Sequence, residues 1–369
     1  MRVTIKVKIK PIKELKNISS KYLKAVQYCV TQSAKHNVKH KFELHNIIYK
    51  KVRKKFGLKS QFAINCIAKG FESYKSSKKL KGSIPKIQSA PLVFDKRLSS
   101  FKWDSIRLAT NNKRIDVALN IAKYYSKYSD WEYQTSMLII KKRISYLNIT
   151  FSKDIQADKC NSQVTSVGVD VGVNNLAVCS NGKVFSGHKT KIIQYRYLRK
   201  KLQRKGTKSA KKLLRKLSGK QKRYMRWVNH NVSKEIVSFG NDIILENLKG
   251  IRKNRRGKHF NRWLNSWSFY QLQTFIEYKA ELIGKTVTYV NPYMTSQTCS
   301  NCSPKIGKVL GSRYFDSFSC PHCGFSCQSD LNASYNLRRL SVMQPYSQCD
   351  DVKGNLVTAT KHMAKSLVL

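Results

Sequence analysis

The sequence predicts an α/β protein in two parts. A mixed-sheet domain is interrupted by a small metal-stapled module, and ahead of it stands a β-domain that carries a helical insertion. Three observations predict this. Strand-like alternation marks residues 1–10 and about 83–155, with helical periodicity between them. An apolar β-branched run opens the stretch TSVGVDVGVNNLAVCSNGKVFSGH at 165–188 and is followed by two more strand-like runs. Four cysteines recur as C-x2-C-x17-C-x2-C further on.

In residues 1–10, Val3, Ile5, Val7 and Ile9 alternate with Thr4, Lys6, Lys8 and Lys10, which is one amphipathic strand. Helical spacing then runs through 13–36, 42–56 and 59–79. From about 83 the period shifts toward two, with short strands at PLVFD (91–95), IRLAT (106–110), RIDVAL (114–119) and RISYLNITF (143–151). The expectation is a small β-barrel built from 1–10 and 83–160, with 11–82 as a helical insertion.

In the second part Val167, Val169, Val171 and Val173 alternate around a lone acid, Asp170. Asn181–Gly182 is a strong short hairpin signal. A Lys/Arg-dense stretch follows, and in its second half Tyr224, Val228, Val232 and Ile236 recur every fourth residue. That spacing predicts a helix over 208–239, docked on one side and basic on the other. NDIILENLKG (241–250) is a strand closed by a single acid, Glu246. Trp263, Trp267, Phe269 and Tyr270 come next; they offer stacking surfaces, but aromatics at helical spacing more often belong to a core. A helix at 272–284, a strand at 286–292, the cysteine segment and a short helix at 330–340 complete the order, and 341–369 is a tail without readable chemistry.

Charge narrows the function. Lys and Arg number 72 against 20 Asp and Glu, a formal net charge of +52. Codon bias inflates lysine but does not deplete acids. A chain this basic repels itself until a polyanion neutralises it, and nucleic acid is the default partner. No run approaches the roughly 18 apolar residues of a membrane span, and the N-terminal stretch lacks a signal-peptide core. The expectation is therefore a soluble cytoplasmic protein associated with the nucleoid, without a membrane partner.

A carboxylate inside a central strand is costly unless a cation or a metal compensates it. Asp170, Glu246 and Asp330 occupy matching settings: within the first strand, at the end of a later strand and at the start of the last helix. That element order is the one of the RNase H-like fold, in which three such acids converge at one end of the sheet. Oxygen-only ligands select Mg²⁺ or Mn²⁺, and a pair of such ions clamps both oxygens of a phosphodiester displacement. Ser329 is placed to cap the helix that Asp330 opens. Cys299, Cys302, Cys320 and Cys323 form a closed, structural Zn²⁺ site. Pro321 and Gly324 shape its second knuckle, and His322 is a surface residue rather than a fifth donor. Cys29, Cys66, Cys160, Cys179, Cys327 and Cys349 read as buried reduced thiols.

GVDVGVNNLA (168–177), NHNVSKEIV (229–237), IILENLKG (243–250), PYMTSQTCSNC (292–302), FSCPHCG (318–324) and DLNASYNL (330–337) together resemble the TnpB family, the insertion-sequence OrfB proteins related to compact type V CRISPR effectors. The likeness runs from about 165 to 340, and more loosely through KSQFAINCIAKGFESYK (59–75). It implies a RuvC-like nuclease domain over 164–297 and 328–345, split by a zinc ribbon at 298–327. A wedge barrel with a helical recognition insertion would precede it, and a tail over 346–369 would follow.

Such proteins use an element-derived guide RNA to pair with double-stranded DNA and cut it beside a short motif, as monomer or homodimer. Asp170, Glu246 and Asp330 match the family's Mg²⁺-binding catalytic triad, and the four cysteines match its zinc ligands. Ser60 and Gln61 match the segment that reads the target-adjacent motif. Lys211, Lys212, Arg215, Lys222, Arg223, Arg226, Arg255 and Arg256 are the candidate nucleic-acid contacts of the basic channel. Where the family usually reads Asp-Arg-Asp, this chain has Gln328–Ser329–Asp330, so a cation expected beside the metals is missing and weaker cutting is expected. The alternatives are an RNA-guided DNA-binding repressor that does not cut, and a transposase that carries out strand transfer itself.

Overall fold

The computed structural model describes residues 1–79, 83–141, 144–155, 165–172, 174–248, 257, 269–343 and 367–368. It divides into two compact units, one containing Met1–Asp154 and the end of the chain, the other beginning at Ile155.

In the first unit strand β1 (Arg2–Ile9) buries Val3, Ile5, Val7 and Ile9 while Lys6 and Lys8 stay outside, as the alternation requires. Thr4 departs from the pattern: it is buried, and its hydroxyl pairs with that of Thr150 at 2.9 Å. Three helices follow, α1 (Lys13–Lys35), α2 (Lys41–Phe56) and α3 (Ser60–Lys79). They pack on one another through buried stripes such as Leu44, Ile48 and Val52, spaced four apart on one face of α2. The strands are β2 (Leu92–Asp95), β3 (Ser99–Phe101), β4 (Ser105–Ala109), β5 (Arg114–Ala118), β6 (Glu132–Lys141) and β7 (Ile144–Ser152). β1 lies antiparallel to β7, in a sheet ordered β1-β7-β6-β2, while β3-β4-β5 form a second sheet.

Among the described residues these sheets do not close into a barrel. β2, the edge strand, and β3 are separated by the turn in which Asp95 Oδ1 accepts the backbone N–H groups of Arg97 and Leu98, each at 3.1 Å, and the ladder breaks there. Within the stretch read as a tail, Leu367–Val368 adds a short strand parallel to β1, pairing Leu367 with Val3.

The second unit is built on β8 (Ser166–Asp170), β9 (Asn175–Cys179), β10 (Val184–Ser186), β11 (Asp242–Glu246) and β12 (Thr286–Val290), in the order β10-β9-β8-β11-β12. β9 is antiparallel to both its neighbours, whereas β8, β11 and β12 run parallel. This mixed order is consistent with the RNase H-like expectation. The 179–183 hairpin turns at Gly182, whose φ of 86° only glycine adopts without strain.

Both faces of the central strands are covered, and residue parity decides which side chain goes where. Val167, Val169, Ile243 and Leu245 pack with Val228, Val232 and Ile236 of helix α5 (Lys208–Ser238) and with Leu272 and Ile276 of α6 (Phe269–Leu282). Ile244 faces the other way, against Leu337 and Leu340 of α7 (Ser329–Met343). Helix α4 (Lys189–Lys205) precedes α5 and packs on it, the two being joined at Gly206–Thr207, where the Thr207 side chain caps α5. Strands β13 (Ser312–Tyr314), β14 (Ser317–Ser319) and β15 (Ser326–Gln328) form a separate antiparallel sheet between β12 and α7. No described helix is long and apolar enough to cross a membrane.

Candidate metal centres and nucleic-acid interface

Parity answers why an acid sits in the first strand. Asp170 shares its face with Gly168, and Glu246 shares its face with Ile244, so both carboxylates stand on the α7 side of the sheet. Leu245 pairs with Val169 in the parallel ladder, so Asp170 and Glu246 each lie one step on, at the carboxyl ends of adjacent strands. Asp330 is in the first turn of α7. That helix lies against β8 because residue 168 has no side chain: a Cβ there would meet the Ser334 carbonyl oxygen at 2.1 Å.

Asp170 and Glu246 sense their acidic neighbours. Burial, then the charges of Glu246 and Asp330, pushes the Asp170 carboxyl well above the usual carboxylate range, against the pull of Arg313 and the Val171 N–H. Burial also raises Glu246, opposed by the Thr295 hydroxyl, which donates to Glu246 Oε1 at 3.0 Å, and reinforced by Asp330. Asp330 Oδ2 accepts from Asn175 Nδ2 at 2.9 Å, and Oδ1 lies 4.0 Å from an Arg313 nitrogen. Asp170 and Glu246, two desolvated carboxylates with further acid charge beside them, make a site short of positive charge, and an oxygen-only donor set suits a hard divalent ion.

Arg313, on β13, is a residue that sequence reading missed. It brings a cation to the carboxylates from a strand ahead of the helix, rather than from the position next to Asp330. Ser329, where that cation was expected, is fully buried and its hydroxyl has no hydrogen-bond partner among the described residues. It does not cap α7 either: it is the first residue of the helix itself, directly after β15, and its N–H donates to the Asp316 carbonyl at 2.8 Å.

The four thiols of Cys299, Cys302, Cys320 and Cys323 lie within 4.8 Å of one another. Cys299 and Cys323 sulfurs are 3.7 Å apart, as are those of Cys302 and Cys320. Tetrahedral Zn–S bonds of about 2.3 Å put ligand sulfurs about 3.8 Å apart, so the cluster is already shaped for zinc. The Phe325 backbone N–H pulls the Cys323 thiol down to about 6, while desolvation and the neighbouring cluster sulfurs push the Cys302 thiol up. His322 is exposed and outside the cluster. Of the remaining cysteines, Cys29, Cys66 and Cys179 are buried and Cys327 is half-buried beside the cluster, while Cys160 and Cys349 lie outside the described residues.

Lys211, Lys212, Arg215, Lys222, Arg223 and Arg226 are all exposed on α5, the helix whose other face docks on the sheet. Arg255 and Arg256 lie outside the described residues, as do Val173, Trp263 and Trp267. Phe269 is core and Tyr270 is exposed. Ser60 is exposed at the start of α3, whereas the Gln61 amide is engaged with Asp95 Oδ2 at 2.5 Å, across to the end of β2.

Comparison with known proteins finds two family models along this chain. Residues 151–251 match the family model described as a probable transposase, and 269–337 match that of the Cas12f1-like TNB domain. The TnpB-like protein MJ0751 of Methanocaldococcus jannaschii is 29% identical over 268 residues, 66% of this chain and 93% of that protein. The endodeoxyribonuclease Cas12f1 of an uncultured archaeon is 27% identical over 57% of this chain, which spans 46% of that longer protein. Among solved structures, Cas12f1 in complex with sgRNA and target DNA superposes with a TM-score of 0.57 at 18% identity, covering 89% of this chain and 83% of that one. This last likeness shows a shared fold.

Proposed function

Since the chain belongs to the TnpB/OrfB family and carries a Cas12f-like TNB domain, we propose that it is an RNA-guided, divalent-metal-dependent DNA endonuclease encoded by a transposable element. The observation that carries this reading is that Asp170 and Glu246 end adjacent strands on the face that α7 covers, with Asp330 in the first turn of that helix and Arg313 beside it. In this reading Asp170, Glu246 and Asp330 would hold Mg²⁺ or Mn²⁺, and the bound ions would supply activation of the attacking water and charge stabilisation at the leaving oxygen. Asn175 donates to Asp330, and the Thr295 hydroxyl donates to Glu246. Arg313 offers its guanidinium to phosphate oxygens at the same place.

Base pairing with the guide would supply sequence specificity, and the exposed cations of α5 would hold the backbone. The exposed Ser60 is the remaining side chain of its pair free to meet a target-adjacent motif, because Gln61 is bonded to Asp95. All three acids are present, which favours cutting over a repressor that only binds.

The test is to co-express the chain with its flanking genomic DNA, sequence the RNA that copurifies, and offer the complex a matching plasmid library with Mg²⁺. Element-end RNA and a cut matching its guide, lost in Asp170→Ala while RNA is retained, are expected. RNA with tight target binding but no cut would move the protein to the repressor class. Strand transfer by this chain alone would make it the transposase.

A further inference from the structure

The segment PYMTSQTCSNC and the helix DLNASYNL are linked by a buried polar network that the cysteines and Asp330 do not account for. Thr295 is 1% exposed, and its single hydroxyl proton faces two acceptors, Glu246 Oε1 at 3.0 Å and the Pro292 carbonyl at 3.2 Å. The carboxylate is the nearer and, when ionised, the stronger acceptor. The Thr295 carbonyl in turn accepts from Asn336 Nδ2 at 2.8 Å, and the Thr298 carbonyl accepts from Asn336 and Asn332, each at 2.8 Å. Asn332 Oδ1 closes the set on the Ser300 N–H at 3.0 Å.

Asn332 and Asn336 are one turn apart on α7, the helix that begins with Asp330, and both are fully buried. Met294, just before Thr295, holds a positive φ of 53°, a conformation that a non-glycine residue keeps only where its surroundings impose it. A continuous chain of bonds therefore runs from the Glu246 carboxylate through Thr295 and Asn336 to the helix of Asp330.

We propose that Thr295 is a positioning residue, fixing the Glu246 carboxylate, and that its grip by Asn336 sets the separation of Glu246 from Asp330. This rests on the reading of the three acids as a divalent-metal site. A carboxylate held by one hydroxyl has one oxygen committed, which would leave the other for the metal, and removing such an outer partner costs about ten- to hundredfold in metal affinity or activity. The helix that supplies Asp330 thereby also holds the loop that orients Glu246.

The experiment is Mn²⁺ titration, followed by the electron paramagnetic resonance of the free ion, on the full chain with its copurified RNA. Wild type, Thr295→Val, Thr295→Ser and Asp170→Ala are compared, with zinc content and melting temperature measured on each. Thr295→Val keeps the shape and loses the hydroxyl. It is expected to weaken Mn²⁺ binding about ten- to hundredfold with zinc unchanged, while Thr295→Ser keeps wild-type affinity. If the valine variant does not fold, Thr295→Ala, which adds no atom to the site, gives the same readout.

Wild-type Mn²⁺ affinity in the valine or alanine variant overturns the proposal even if melting falls, because a merely structural hydroxyl would move melting alone. Equal loss in the serine variant also overturns it, as does Mn²⁺ binding that Asp170→Ala leaves untouched. Binding that Asp170→Ala removes and Thr295→Val weakens supports it whether or not the complex cuts, so an uncut plasmid would refute the nuclease reading alone.

Discussion

Gly168→Ala adds one methyl group at the closest approach of β8 and α7. Its carbon would fall 2.1 Å from the Ser334 oxygen, 2.5 Å from the Arg338 nitrogen and 3.1 Å from Leu337 Cβ. The first two are backbone atoms of α7, so no side chain can rotate away. To reach even a tight 3.0 Å contact the helix must retreat by about 0.9 Å. Asp330 rides on that helix, and a misplacement near 1 Å costs on the order of a hundredfold in rate, about 2.7 kcal/mol of barrier. Overpacking would cost a further 1–3 kcal/mol or so of stability.

The assay is the single-turnover cleavage rate of the RNA complex at saturating Mg²⁺, below the melting transition of both proteins. Gly182→Ala is the control: nothing lies within 4 Å of its Cβ, so it meets no backbone of α7, pays only the strain of a φ of 86°, and is expected to cut at the wild-type rate. A folded Gly168→Ala protein that cuts as fast as wild type would refute the argument that helix approach places Asp330.

Cys320→Ser, or prolonged chelation, should remove zinc and unfold the β13–β15 sheet, since thiolate binding energy is folding energy there; zinc content and limited proteolysis report it, and retained zinc would contradict the assignment. Arg313→Ala should slow cutting about ten- to hundredfold with zinc retained, and Arg313→Lys should restore part of it. An unchanged rate would leave Arg313 a surface residue. If Lys211, Lys212, Arg215, Lys222, Arg223 and Arg226, all exposed on α5, each meet a phosphate, DNA affinity should fall about a thousandfold between 50 and 200 mM salt. A flat filter-binding profile would exclude a basic channel on that helix.

Much of this protein is local and therefore legible in the chain. Alternation set Val3, Ile5, Val7 and Ile9 on one face of β1, and a four-residue spacing set Val228, Val232 and Ile236 against the sheet. Cysteine spacing selected Cys299, Cys302, Cys320 and Cys323, since short knuckles bring their own ligands together. The rest depends on distance in sequence. Barrel closure could not be read, because alternation reports which face of a strand is buried and says nothing of which strand lies beside it.

Hydrogen-bond partners were equally invisible. Asn175 serves an acid 155 residues away and Thr295 one 49 residues away, and no periodicity links them. The position next to Asp330 predicted a missing cation, whereas the tertiary structure supplies Arg313 from a neighbouring strand and buries Ser329 instead. Sequence chose the acids and the thiols. Tertiary structure chose what orients them, because a hydrogen bond is specified by where two chain segments meet and not by either segment alone.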